Sequence, residues 1–181
     1  MNLRSYSGEG IVLARRNFGE ADRILVVYSR HYGRISLLAK GVRRPSSRKR
    51  GHVEIFSYIK FSAASGKNLD IMTEAEIINS FSEVRKNLHK VSLAYYFMEV
   101  VGRTTHEGEP HRELFDLILV SLDKLKNENK LKSLRLDFIL RLMTILGFWP
   151  EGRQLLNPDS KLEEIIERQL NSVRVGKKMV A

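Results

Sequence analysis

The hydrophobic rhythm of the chain changes near residue 79, and the change divides it in two. Before that point, apolar residues come in short β-branched runs or in alternation, the period of a half-buried strand. Gly10-Ile11-Val12-Leu13-Ala14 is one such run and Ile24-Leu25-Val26-Val27-Tyr28 a second, with the turn-like Phe18-Gly19-Glu20 between them. Gly33 breaks the chain again before Ile35-Ser36-Leu37-Leu38-Ala39. Val53, Ile55, Ile59 and Phe61 alternate with His52, Glu54, Phe56, Tyr58 and Lys60, which predicts a fourth strand; Leu69, Ile71, Ala75 and Ile77 mark a fifth. A three-residue turn, Ser65-Gly66-Lys67, would set Phe61 opposite Ile71 and keep the apolar sets on one face; a two-residue turn would set Phe61 opposite Met72 and mix them.

After Asn79 the period becomes helical. Val84, Leu88, Val91, Tyr95 and Met98 recur at steps of four and three, and Leu93, Phe97, Val100 and Val101 add a second stripe, so one long helix is expected to be packed on more than one side. Residues 104–109 are polar and glycine-containing, and Pro110 suits the first turn of a second helix running to about Lys126. A third spans about 130–146, with Gly147 as its C-cap and Pro150 beyond. Ser160-Lys161-Leu162-Glu163 has capping-box spacing and opens a short fourth helix through Leu170; the tail, residues 173–181, is basic. The class is therefore α+β, with a barrel domain over 1–79 and a helical domain of about four helices over 80–181. Five short strands in about 70 residues, without helical periods between them, fit the five-stranded OB-fold most simply, with an SH3-like barrel as its rival.

Charge sharpens the division. The chain of 181 residues has a formal charge of +10, and residues 1–70 hold +9 of it. Six positive side chains crowd into Lys40-Gly41-Val42-Arg43-Arg44-Pro45-Ser46-Ser47-Arg48-Lys49-Arg50-Gly51 without one acid, a glycine-, proline- and serine-containing loop between the third and fourth strands. Like charges in one loop repel one another, and a polyanion such as nucleic acid is the commonest partner that offsets this. The absence of cysteine excludes disulfides, thiolate chemistry and cysteine-based zinc sites. Apolar runs are broken by Asp116 and Arg141, and no secretory signal is read at the start, which predicts a cytoplasmic protein without membrane attachment.

Enzymatic signatures fail on inspection. Gly66-Lys67 lacks the glycine and hydroxyl residue of a phosphate-binding loop, and Gly8-x-Gly10 is followed by Leu13 where a dinucleotide fingerprint needs glycine. His106 and His111 are five apart and interrupted by Gly108 and Pro110, so they cannot share a helix face as metal ligands; they read as a structural loop. No cofactor, no metal and no catalytic residue is expected.

Two ordered sets of segments carry a resemblance. Gly10-Ile11-Val12-Leu13, Gly19-Glu20-Ala21-Asp22-Arg23-Ile24-Leu25 and Gly33-Arg34-Ile35-Ser36-Leu37-Leu38-Ala39-Lys40-Gly41-Val42-Arg43-Arg44 form the first. Leu69-Asp70-Ile71-Met72-Thr73-Glu74-Ala75-Glu76-Ile77, Arg135-Leu136-Asp137-Phe138-Ile139-Leu140 and Leu146-Gly147-Phe148-Trp149-Pro150 form the second. In this order the chain resembles the bacterial recombination mediator family RecO, and without cysteine it is similar to that family's zinc-free, short members. The resemblance implies an OB-fold followed by helices. It also implies a role in DNA repair: binding single- and double-stranded DNA, annealing complementary strands, and helping to load RecA onto strands coated by single-strand-binding protein (SSB). RecR and the acidic C-terminal tail of SSB are the implied protein partners, RecA an indirect one, and the nucleoid the implied place of work.

For phosphate contacts the candidates are Lys40, Arg43, Arg44, Arg48, Lys49 and Arg50, followed by Arg34 and one of Arg15 and Arg16. Phe56 and Tyr58 fall on the polar side of their strand, where they would either stack on bases or pack under the following helix. For the SSB tail, an apolar cleft with a cation is required; Arg135, then Arg141, beside Phe138 on the third helix are the candidates, Arg135 being otherwise a solvated arginine on a packed helix. The alternatives are a protein-interaction scaffold for acidic partners and an RNA-binding OB protein.

Overall fold

The computed structural model describes residues 5–166. Five strands, β1 (Ser5–Phe18), β2 (Asp22–Ser29), β3 (Gly33–Ala39), β4 (Tyr58–Ala64) and β5 (Asp70–Asn79), close a barrel in the order β1-β2-β3-β5-β4. Every neighbouring pair is antiparallel except β3 and β5, which run parallel where Leu37 and Leu38 meet Asp70 and Ile71. This is the OB-fold. One strand turns the corner: β1 pairs with β4 through residues 5–11 and with β2 through residues 10–18, with a bulge between Val12 and Ala14 that bends it.

The barrel interior is filled by Val12, Leu25, Val27, Leu37, Ala39, Ile59, Phe61, Ala63 and Met72, together with Val42 and Val53. The last two stand at either end of the basic loop, so burial anchors both of its ends. The turn before β5 differs from expectation. Five residues, 65–69, connect the strands, and Phe61 lies opposite Ala75 while Ala64 lies opposite Ile71. A register shift between Ser62 and Ala63 inserts one extra residue on β5, which restores the face parity that the longer loop had reversed. From Ala75 onward the apolar faces match as expected, through a different register; before the bulge the expectation is corrected, since Met72 and not Ile71 turns into the core beside Ala63. The fourth strand also begins later than its alternation suggests, because residues 53–57 form a turn with Ser57 N–H on the Glu54 carbonyl at 3.1 Å.

Thr105–His111 belongs to the same compact unit as the barrel. It runs along the start of β3: Gly108 N–H donates to the Arg34 carbonyl (3.0 Å), Ser36 Oγ to Glu107 Oε1 (3.1 Å), and His111 N–H to Tyr28 Oη (3.2 Å). Gly33 is required there, since a Cβ at that position would lie 2.4 Å from the Glu109 carbonyl. The histidine-containing segment is thus a structural loop, as its spacing indicates.

The second unit contains five helices among the described residues: α1 (Ser82–Arg85), α2 (Leu88–Thr104), α3 (Arg112–Lys124), α4 (Leu131–Ile145) and α5 (Pro158–Ile166). The long first helix of the sequence reading is divided at Asn87, whose side-chain oxygen accepts from the amides of His89 and Lys90 and so caps α2. The second expected stripe, Leu93, Phe97, Val100 and Val101, is buried together with Met98, and Phe97 stacks on Phe138 of α4 with centroids 4.0 Å apart; of the first stripe, Leu88 and Tyr95 are exposed, which corrects the reading there. Gly147 and Phe148 return their amides to the carbonyls of Thr144 and Met143, ending α4 where predicted. The last helix starts three residues early: Pro158 holds its first turn and Asn157 Oδ1 accepts from Ser160 N–H, so Asn157 takes the capping role expected of Ser160. Its expected end at Leu170 and the basic tail lie outside the described residues. No helix among the described residues is long and apolar enough to cross a membrane.

Candidate nucleic-acid interface

The loop of residues 40–52 is built from successive tight turns. Gly41, at φ +65°, adopts a left-handed conformation that a side chain would strain, and its N–H donates to Asp22 Oδ1 at 2.7 Å. Arg43 N–H donates to the Ala21 carbonyl (2.9 Å) and its guanidinium to the Gly19 carbonyl (3.2 Å), fastening the loop to the β1–β2 hairpin. Amides of Arg44, Ser47, Arg50 and His52 then return to carbonyls three residues back, ending in a 3-10 turn at Arg50–His52. The chain is held, and its charges are not left to spread.

Of the six loop cations, Lys40, Arg44, Arg48 and Arg50 are exposed and have no ion pair with a described residue. Arg43 is half-buried against the hairpin. Lys49 turns inward, its Nζ donating to the Met72 carbonyl at 3.0 Å, and burial pushes its pKa down while Asp22 opposes the shift. Its ammonium therefore holds the loop to β5. Arg34 lies at the far end of β3 from the loop. Arg16 is exposed near the hairpin, whereas Arg15 is paired with Glu54 at 2.5 Å.

Two cations that were not singled out in the sequence join this surface. Arg23 stands opposite Asn17 and Ala39 in the register, beside the loop. Its pKa is pushed down, first by burial and then by Arg15, with Arg43 and Arg50 adding and Glu54 opposing, which marks a cluster of guanidinium groups at one end of the barrel. Lys60, exposed on β4, lines a groove of about 700 Å³ with Lys40, Arg44 and Arg48 on the loop side and Glu74 and Glu76 on the β5 side. The alternation of the sequence marks Lys60 as outward-facing; only the closed sheet brings it to the loop.

The expected stacking pair is corrected. Phe56 is fully buried, at φ +56°, with its N–H on the Val12 carbonyl at 2.8 Å and the Ser57 carbonyl accepting from Val12 N–H. A left-handed phenylalanine costs of order 1–3 kcal/mol, which burial of a whole ring offsets. Tyr58 is half-buried and donates to Glu9 Oε2 at 2.5 Å; burial, then this hydrogen bond, push its pKa up to about 12.

Of the helical candidates, Arg135 and Phe138 are buried, which corrects them as partner contacts. Arg135 is 7% exposed and forks onto Asp159 (2.5 and 3.1 Å), with its guanidinium 5.7 Å from the Tyr96 ring. Burial lowers its pKa, but the hydrogen bond and charge of Asp159 more than offset this and the net shift is upward. Phe138 is wholly buried. Arg141 is exposed and paired with Asp137 at 2.9 Å, and it lines an α3–α4 groove in which Glu113, Asp116, Asp137 and Glu151 outnumber Arg141 and Arg153. A different cleft, about 780 Å³, joins the starts of α2 and α4: Lys90, Lys130 and Lys132 face it against Glu128, with Leu131 and Leu136 apolar. Its signal in sequence is faint, since Lys90 and Lys130 are forty residues apart.

The fold and surface together define a class: an OB-fold barrel carrying a pinned cationic loop, joined in sequence to a helical unit. Family models for the N-terminal part of recombination protein O and for its C-terminal part match residues 1–81 and 85–160. Proteins named DNA repair protein RecO are similar to the chain. That of Pelotomaculum thermopropionicum is 38% identical over 148 residues, covering 82% of this chain and 57% of the relative. For Desulfitobacterium hafniense the figures are 34% over 145 residues, 80% and 53%, and for Dehalococcoides mccartyi 32% over 157 residues, 87% and 62%. The chain belongs to the RecO family. It spans little more than half the length of these curated relatives.

Proposed function

We propose that the protein is a DNA-binding mediator of recombination in DNA repair, which binds single- and double-stranded DNA, anneals complementary strands, and works with RecR to load RecA onto SSB-coated strands. The observation that carries this reading is the set of exposed cations, Lys40, Arg44, Arg48 and Arg50, on a loop pinned at both ends to an OB barrel. Two phosphate backbones brought together repel one another; fixed guanidinium groups offset that repulsion and release condensed counterions. No step of this requires a catalytic group, and the place of work is the nucleoid.

The partner for the acidic SSB tail is better sought away from Arg135. Charge complementarity favours the cleft of Lys90, Lys130 and Lys132, whose leucines would receive an apolar residue at the end of the tail.

The test is Arg44→Glu/Arg48→Glu. Affinity for single and double strands and the annealing rate should fall, and the slope of log K against log salt should shrink by about 1.4 on single strands, about 0.7 per lost phosphate contact. Unchanged affinity at unchanged slope would overturn the loop assignment. A peptide with an acidic, apolar-ended tail should lose affinity for Lys130→Glu/Lys132→Glu and keep it for the loop variant, as two separable sites require.

A further inference from the structure

With Phe56 buried and Tyr58 bonded to Glu9, the surface described so far holds phosphates but offers nothing flat to a base. Among the large exposed hydrophobics of the barrel unit, Phe18 stands out by position. It is 51% exposed at the last residue of β1, opposite Asp22 in the hairpin register. Its ring has no contact with another described aromatic ring. Tyr32, the other exposed aromatic of that unit, packs edge-on against Tyr6 with centroids 4.8 Å apart and donates its hydroxyl to the Ser7 carbonyl, so both of its ends are engaged.

Single exposed apolar residues are ordinary on protein surfaces and need no function. What distinguishes Phe18 is the way its surroundings are fixed. The hairpin tip that carries it is fastened to the cationic loop by three hydrogen bonds: Asp22 Oδ1 takes Gly41 N–H, the Ala21 carbonyl takes Arg43 N–H, and the Gly19 carbonyl takes the Arg43 guanidinium. Arg16 shares its outward face two residues earlier, while Arg23, paired in register with Asn17 and hydrogen-bonded to it at 3.3 Å, stands on the other face of the hairpin. Of the acids nearby, Asp22 is engaged by the Gly41 amide, leaving Glu20 exposed at the turn. A ring thus stands on a hairpin tip bonded to the cationic loop, with Arg16 on its own face and the Arg43 guanidinium on the carbonyl of the next residue, Gly19.

Resting on the DNA-binding reading above, we propose that Phe18 is the residue on which an unpaired base stacks when a single strand lies along the loop. An aromatic face accepts any base, but only a base released from its own pair, so this contact separates single from double strands while the arginines treat both alike. The geometry also gives the annealing surface an order: phosphates held along residues 40–50, and one base turned toward the hairpin tip.

The experiment compares Phe18→Ala and Phe18→Trp with the unaltered chain, using fluorescence anisotropy with a mixed-sequence single strand and its blunt duplex at one salt concentration, with Arg44→Glu/Arg48→Glu alongside. Phe18→Ala is expected to weaken single-strand binding by about fivefold or more, the lower bound for loss of one base stack, and duplex binding by less than about twofold. Phe18→Trp should retain single-strand affinity, and its added indole emission should be quenched by the single strand and not by the duplex. Unchanged single-strand affinity in Phe18→Ala would overturn the proposal. So would an equal loss on both substrates, which would make Phe18 a support for the loop. If the loop reversal leaves both affinities unchanged, the DNA-binding reading itself falls, a result distinguishable from failure of Phe18 alone.

Discussion

Replacing Arg135 by methionine tests whether this arginine holds the helical unit together or waits for a partner. Its side chain is 8% exposed and that of Asp159 14%, and the two meet through both oxygens and both terminal nitrogens. Removing one member of such a pair leaves the other charge with little water, at a cost of about 3–5 kcal/mol. For a chain of this size, about 2–4 °C is lost per kcal/mol, so the melting transition should fall by roughly 6–20 °C. Arg141 supplies the control, because its pair with Asp137 is 57% and 41% exposed and pairs of that kind contribute only about 0.3–0.5 kcal/mol. Differential scanning calorimetry of Arg135→Met, Arg141→Met and Arg135→Met/Asp159→Leu is the assay. The double variant should regain most of the loss, since apolar side chains can replace a buried pair at little cost. A single-variant shift no larger than that of Arg141→Met would refute the structural role and return Arg135 to the list of partner contacts.

Phe56→Ala should destabilise the barrel by about 3–5 kcal/mol, measured by urea unfolding; a loss under about 1 kcal/mol would contradict its burial. Tyr58 is held neutral by burial and by Glu9, with its folded pKa above the unfolded value near 10, so the stability it contributes is fully present below pH 10 and lost as pH rises toward about 12. Tyr58→Phe should remove that component, and absorbance at alkaline pH should show one fewer late-titrating tyrosine in this variant, with Tyr6, Tyr28 and Tyr96, also pushed up by burial, still titrating late. Lys49→Met should lower stability by about 1 kcal/mol through loss of the bond to Met72, and should reduce DNA affinity less than Arg48→Met does; the reverse order in binding assays would show that Lys49 leaves its internal partner to meet phosphate.

The sequence by itself determined the class of fold, because class depends on period. Alternation before residue 79 and three-to-four spacing after it are local properties, as are the turn residues and the end of α4 at Gly147. It also determined that the excess charge lies in the first part of the chain and that six cations share one loop. Tertiary structure decided which way those side chains point. Phe56 alternates like an outward residue, yet a left-handed backbone turns it inward, and no pattern of apolar and polar positions encodes a sign of φ. Arg135 is indistinguishable from Arg141 in composition; the difference is Asp159, twenty-four residues on, which the folded helices bring within hydrogen-bonding distance. The register of β4 with β5 escaped for the same reason, since the bulge between Ser62 and Ala63 exchanges a short turn for a longer one, turning Met72 inward before it and matching the expected faces after it. Lys60 reached the cationic loop only when the sheet closed, because closure sets beside one another residues that the chain keeps far apart, while Arg23 and the hairpin of Phe18 came to it through strand pairing and the hydrogen bonds of Gly41 and Arg43.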